Sequence, residues 1–135
     1  MNLFLDANVV LAASGASRAI FDLAAPNGWT LLTSDYVVSE ITINLARLTP
    51  SATHEWTQLR NRLVFVRDVW TCDRPAIFSP AKDRPVLFTA AAWAQVLLTL
   101  DRGDFGPVMN GQFYGLDVIT PGNFLERERS FGRLK

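Results

Sequence analysis

The chain has 135 residues, enough for one domain with a sizeable buried core. It is 49% hydrophobic and 19% charged, which excludes a disordered tail. Basic and acidic residues balance at 13 each, so bulk charge does not announce a nucleic-acid ligand, and any basic patch is local.

The chain opens MNLFLDANVV. Residues 2–6 read as a short buried strand, too few for a helix, and the strand ends on a carboxylate, Asp6. Ser14-Gly15 breaks the pattern. Residues 16–25 read as a helix with Ala16, Ile20, Leu23 and Ala24 on one face, ended by Asn27-Gly28. Residues 30–33 are a second strand. Ser34 or Asp35 caps a helix to about Arg47, whose stripe is Val37, Val38, Ile41, Leu45 and Leu48. Pro50 stops it. Thr53 caps another helix, with Trp56, Leu59 and Leu63 inward and Arg60 and Arg62 outward. Residues 64–66 are a third strand.

Residues 68–82, with Pro75 and Pro80, have no clear period. Asp83-Arg84-Pro85 opens a helix to about Trp93, since proline is tolerated in a first helical turn. Residues 95–100 are a fourth strand, the glycine-rich 102–115 a loop, 116–120 a fifth strand and 121–129 a last helix. Strands alternate with helices, and the strands are continuously apolar. That pattern predicts a three-layer α/β/α sandwich around a mainly parallel sheet of about five short strands, in a single domain over 1–135. No apolar run reaches the ~18 residues of a membrane span, and the early Asp6 argues against a signal peptide. The one cysteine, Cys72, has no internal disulfide partner, which fits the cytoplasm.

Ligands of such sheets bind at the carboxyl ends of the strands. Asp6 follows the first strand, and Asp101 follows the fourth with Asp104 in the turn beyond. Asp83 starts a helix at the same edge, and Glu40 lies early in the helix after the second strand. Five of the 13 acids thus converge on one edge. Clustered carboxylates repel one another and are costly to desolvate, so stability alone gives little reason to assemble them. A divalent cation removes the conflict. Mg²⁺ or Mn²⁺ on carboxylate oxygens, one ion or two, predicts metal-assisted phosphoryl chemistry. Each acid also has a plainer reading: a strand end for Asp6, a solvated helix residue for Glu40, a helix N-cap for Asp83, turn formers for Asp101 and Asp104. Coincidence of all five at one edge favours the shared site. Lys82, Arg84 and Arg102 adjoin these acids and are candidate contacts for RNA phosphates. His54 reads as a surface residue and Cys72 as a small hydrophobe, so a serine or cysteine hydrolase is disfavoured. Trp56, Trp70 and Trp93 read as core or dimer contacts.

The segments FLDANVV, SEITINL, KDRPVLFTAA, VLLTLDRGDF and DVITPGNFL follow one another in an order that resembles the PIN-domain family, the ribonuclease fold of VapC-type toxins. The resemblance implies a Mg²⁺- or Mn²⁺-dependent endonuclease of single-stranded RNA, the toxin of a type II toxin–antitoxin pair, with a homodimer and a cognate antitoxin as partners. It matches Asp6, Glu40, Asp83 and Asp101 to the family's acids, with Asp104 a looser fifth. Asn8 and Thr99 match polar positions that flank them. Alternatives are a solitary RNA-processing nuclease of the same fold, or a module that binds RNA or protein without cutting. A haloacid-dehalogenase-like phosphatase with Asp6 as nucleophile is disfavoured, because the position two residues on is Asn8 rather than an acid.

Overall fold

A computed structural model of the chain describes residues 1–12, 15–48, 50–73, 78, 80–109 and 112–135. Its centre is strand β1 (Asn2–Leu5), where Leu3, Phe4 and Leu5 are fully buried. Successive strand residues point to opposite faces, so this run means that both faces of the sheet are covered. On one side of β1 lie β2 (Thr30–Ser34) and then β3 (Val64–Val66). On the other lie β4 (Val96–Leu98), β6 (Leu116–Ile119) and the edge strand β5 (Gln112–Phe113). Every pairing is parallel except β5 with β6.

The chain therefore winds outward from β1 through β2 to β3, then returns to β4 on the opposite side of β1. The winding reverses between β1 and β4, whose registers tie Phe4 to Leu97 and Leu5 to Leu98. Loops leaving two such strands at their carboxyl ends diverge, and the crevice between them is where ligands bind in open α/β sheets.

Parallel strands need crossovers, and helices supply them. α2 (Gly15–Asn27) packs against β2 and against α7 (Pro121–Ser130). α3 (Asp35–Leu45) packs against β2, α1 (Ala7–Leu11) and α5 (Arg84–Trp93), while α4 (Pro50–Leu59) packs against α1. Trp29 meets Phe124 edge-on at 5.1 Å, which anchors α7 to the sheet. Thr120 caps α7, its hydroxyl oxygen accepting from the Asn123 N–H at 3.3 Å. Thr120→Ala is expected to destabilise the protein by about 1 kcal/mol in urea unfolding, the ordinary loss for an N-cap. No helix among the described residues is long and apolar enough to cross a membrane.

The α/β architecture with a mainly parallel sheet is as expected, but the sheet has six strands among the described residues rather than about five. The extra strand is β5, placed by the sequence in a loop. It is joined to β6 by Tyr114-Gly115, both at positive φ (50° and 86°), which is a tight hairpin turn. The four-residue α6 (Gly106–Met109) also falls within that expected loop. Three boundaries shift. Pro50 opens α4 rather than merely stopping α3, because a proline lacks an N–H that a first turn leaves unpaired anyway. Leu48 lies beyond the end of α3 and is exposed. β4 covers only 96–98 of the expected 95–100. Of Trp56, Trp70 and Trp93, Trp56 is buried, whereas Trp70 and Trp93 are 60% and 45% exposed. The expected helix break at Ser14 lies outside the described residues.

Candidate metal centre

Asp6 is the first residue beyond β1 and is only 5% exposed. It caps α1: one carboxylate oxygen accepts from the Ala7 N–H at 2.8 Å. The other accepts from the Thr99 hydroxyl at 2.7 Å and from the Asn8 amide at 3.3 Å. Thr99 follows β4 directly and in turn accepts from the Asp101 N–H at 3.1 Å. Asn8 accepts from the Leu100 N–H at 3.0 Å. The two strand ends at the switch point are thus laced together. β4 stops early for the same reason, since the N–H of Leu100 pairs with the Asn8 side chain. Asn8 and Thr99 fix the orientation of Asp6 and the path towards Asp101.

Asp101, Asp104 and Asp83 each offer a carboxylate oxygen, and the three oxygens lie within 4.8 Å of one another. Asp101 accepts from the Asp104 N–H at 2.9 Å, which folds the turn back on itself. Asp83 ends a 3-10 turn (Ala81–Asp83) and stands at the start of α5, 6% exposed. Its side chain makes no capping bond, and its Oδ2 is buried without a partner. Glu40, in the second turn of α3, likewise has a buried oxygen, Oε1, without a partner.

Asp6 and Glu40 stand outside the trio, yet the charge of Asp6 reaches Asp83 within it and Glu40 beside it. Burial raises the Asp6 pKa against its hydrogen bonds from Thr99 and Ala7, and repulsion from Asp101 adds to the rise. Burial and then repulsion from Asp6 push Glu40 up to about 7. Asp83 is pushed up to about 7 by burial, by its hydrogen bond with Asp104 and by repulsion from Asp6 and Asp104. Asp104 moves the opposite way, lowered chiefly by that hydrogen bond with Asp83. Their hydrogen bond thus favours protonation of Asp83 over Asp104. Such a set of confined acids, two with orphaned oxygens, suits a hard divalent cation, whose preferred partners are carboxylate oxygens.

The candidate phosphate contacts divide. Lys82 Nζ lies 3.5 Å from Asp104 at the rim of the acids and is otherwise exposed. Arg84 turns back, its Nε donating to the Phe78 carbonyl at 2.9 Å. Arg102 lines a separate cavity of about 260 Å³ with Met109, Thr120 and Asn123, beyond the Asp101 turn.

Sequence reading missed Tyr36. Its hydroxyl donates to the Lys82 carbonyl, fastening α3 to the turn that carries Asp83. Burial raises its pKa, and repulsion from Glu40 and Asp83 raises it further. A tyrosine in the first turn of a helix carries no signal that would mark this role.

No protein-family model matches the chain, and no curated protein matches it. Among solved structures it is similar to VapBC2 from Rickettsia felis, solved bound to a DNA fragment from their promoter. The TM-score is 0.62 at 16% identity, covering 87% of this chain and 98% of that one. The likeness is one of fold, and it agrees with the PIN-like α/β arrangement expected from the sequence.

Proposed function

We propose that this chain is a Mg²⁺- or Mn²⁺-dependent endoribonuclease of single-stranded RNA, one domain acting in the cytoplasm as the toxin of a type II toxin–antitoxin pair. The observation that carries the reading is the trio Asp83, Asp101 and Asp104 within 4.8 Å, set at the switch point of the sheet beside buried Asp6. The fold shared with VapBC2 supports the toxin half of the reading, and with it an antitoxin partner.

Asp83, Asp101 and Asp104 would hold the metal, with Asp6 and Glu40 completing the acidic lining. A bound divalent ion would ease deprotonation of an attacking water and offset charge on the leaving oxygen of a phosphodiester. The chain's own groups prepare for this. Thr99 and Asn8 fix Asp6 so that it need not reorganise. Asp83 gives up its proton when its oxygens become ligands. Lys82, exposed beside Asp104, offers its ammonium to a phosphate.

The test is cleavage of a labelled single-stranded RNA by purified protein. Excess EDTA should abolish it, and Mn²⁺ or Mg²⁺ in excess of the chelator should restore it. Equal cleavage in EDTA would end the metal reading. Co-expression with the product of a short adjoining gene, if it silences cleavage, would support the toxin assignment.

A further inference from the structure

Residues 67–71 follow directly on β3. The Trp93 indole donates to the Arg67 carbonyl at 2.9 Å, and the Val69 N–H donates to the Thr89 hydroxyl at 2.8 Å. Both bonds pin this stretch to α5. Val69 and Thr71 face a cavity of about 460 Å³ against Phe88 and Ala91 of the same helix. Trp70, the residue between them, is turned to solvent instead. It meets Tyr36 edge-on at 5.4 Å and leaves 60% of its surface in solvent.

An exposed tryptophan on a pinned backbone invites a reason. Its surroundings supply one. Tyr36 is fixed at both ends: its N–H donates to Asp68 at 3.1 Å, and its hydroxyl donates to the carbonyl of Lys82, the residue before Asp83. One aromatic pair therefore leads from solvent to the acids through two side chains. Lys82 presents its ammonium at the same rim. An exposed indole packed on Tyr36, whose hydroxyl reaches the residue before Asp83, has the make-up of a single-strand stacking platform.

We propose that Trp70 stacks on an unpaired base of the RNA substrate, one near the scissile phosphate, and so selects single strands over duplex. This rests on the ribonuclease reading above. A duplex keeps its bases stacked inside, where no side chain at this rim reaches a free face. Tyr36 acts as the backstop that holds the indole upright.

The experiment compares wild type, Trp70→Ala and Trp70→Phe on a single-stranded RNA and on the same sequence annealed to its complement. Cleavage kinetics are taken with Mn²⁺, binding by fluorescence anisotropy of the labelled strand, and mass by size-exclusion light scattering. Trp70→Ala should raise KM for the single strand by about 5- to 150-fold with kcat little changed. Trp70→Phe should recover most of the loss, and affinity for duplex should not move. Unchanged KM in Trp70→Ala overturns the stacking role while leaving the ribonuclease reading intact. A fall in mass from dimer to monomer in Trp70→Ala overturns it in favour of a contact between two copies. Wild type that cleaves no RNA sinks the ribonuclease reading instead. The anisotropy then decides the stacking role: weaker single-strand binding by Trp70→Ala supports it, and equal or absent binding ends it.

Discussion

Asp6→Asn is expected to lower cleavage by at least about 100-fold while the fold persists, a loss in the range seen when metal-site carboxylates or their supports are removed. The substitution is nearly isosteric. The Asn side-chain oxygen still accepts from the Ala7 N–H, so α1 keeps its cap. What changes is the second oxygen, which now accepts from Thr99 and Asn8. An amide there donates instead, and the Thr99 hydroxyl can turn to accept from it. The lost charge also relieves repulsion with Asp101 and Glu40. These effects oppose one another, so urea unfolding should move by about 1 kcal/mol or less. Calorimetric titration with Mn²⁺ should show weakened binding. Asp22→Asn serves as the control, since Asp22 is exposed on α2, away from the acids, and lies 3.8 Å from Arg62. Full cleavage by Asp6→Asn would remove Asp6 from the site.

The sequence places Asp6 and Asp101 correctly because strand ends are legible: a short apolar run followed by an acid, twice, locates both at the same edge of a parallel sheet. Glu40 and Asp83 follow from helix positions in the same way. What the sequence does not carry is distance. Nothing in it says that Asp83, Asp101 and Asp104 draw together while Asp6 is held aside by Thr99 and Asn8. That separation depends on side-chain hydrogen bonds between residues more than 90 positions apart. Short elements are lost for a different reason. α1 has five residues and β5 two, too few for a period to emerge, and their existence rests on the Asp6 cap and on Tyr114-Gly115. Trp70, read from the sequence as a core or dimer contact, stands outside the core. Tryptophan is usually buried, and only the tertiary pinning of 67–71 to α5 turns this one outward.

Asp83→Asn is expected to stabilise the metal-free protein at pH 8 while removing its response to Mg²⁺. Asp83 and Glu40 both titrate near 7 in the fold, against ordinary values of 3.8 and 4.5. A carboxyl raised in this way binds more protons folded than unfolded between about pH 4 and 7. Stability of the metal-free protein therefore falls as pH rises through that window and levels off above it. Solvent reaching Glu40 screens its share, which leaves about 2 kcal/mol between pH 5 and pH 8; Asp104, lowered from 3.8, titrates below this window. An Asn at 83 carries no charge to confine, and its amide can donate to Asp104 as the protonated carboxyl does. In chelator at pH 8 the variant should thus unfold at higher urea than wild type, by about 1–2 kcal/mol, and the two should converge at pH 5. Mg²⁺ should raise the wild-type Tm at pH 8 far more than at pH 5, where protons compete for the same oxygens, and should do little for the variant. Wild-type protein that grows more stable from pH 5 to pH 8 in chelator would show that these acids are not confined together at all. On the proposed reading, the confined charge of these acids is tolerated where protons neutralise it, and a bound cation would take the place of those protons.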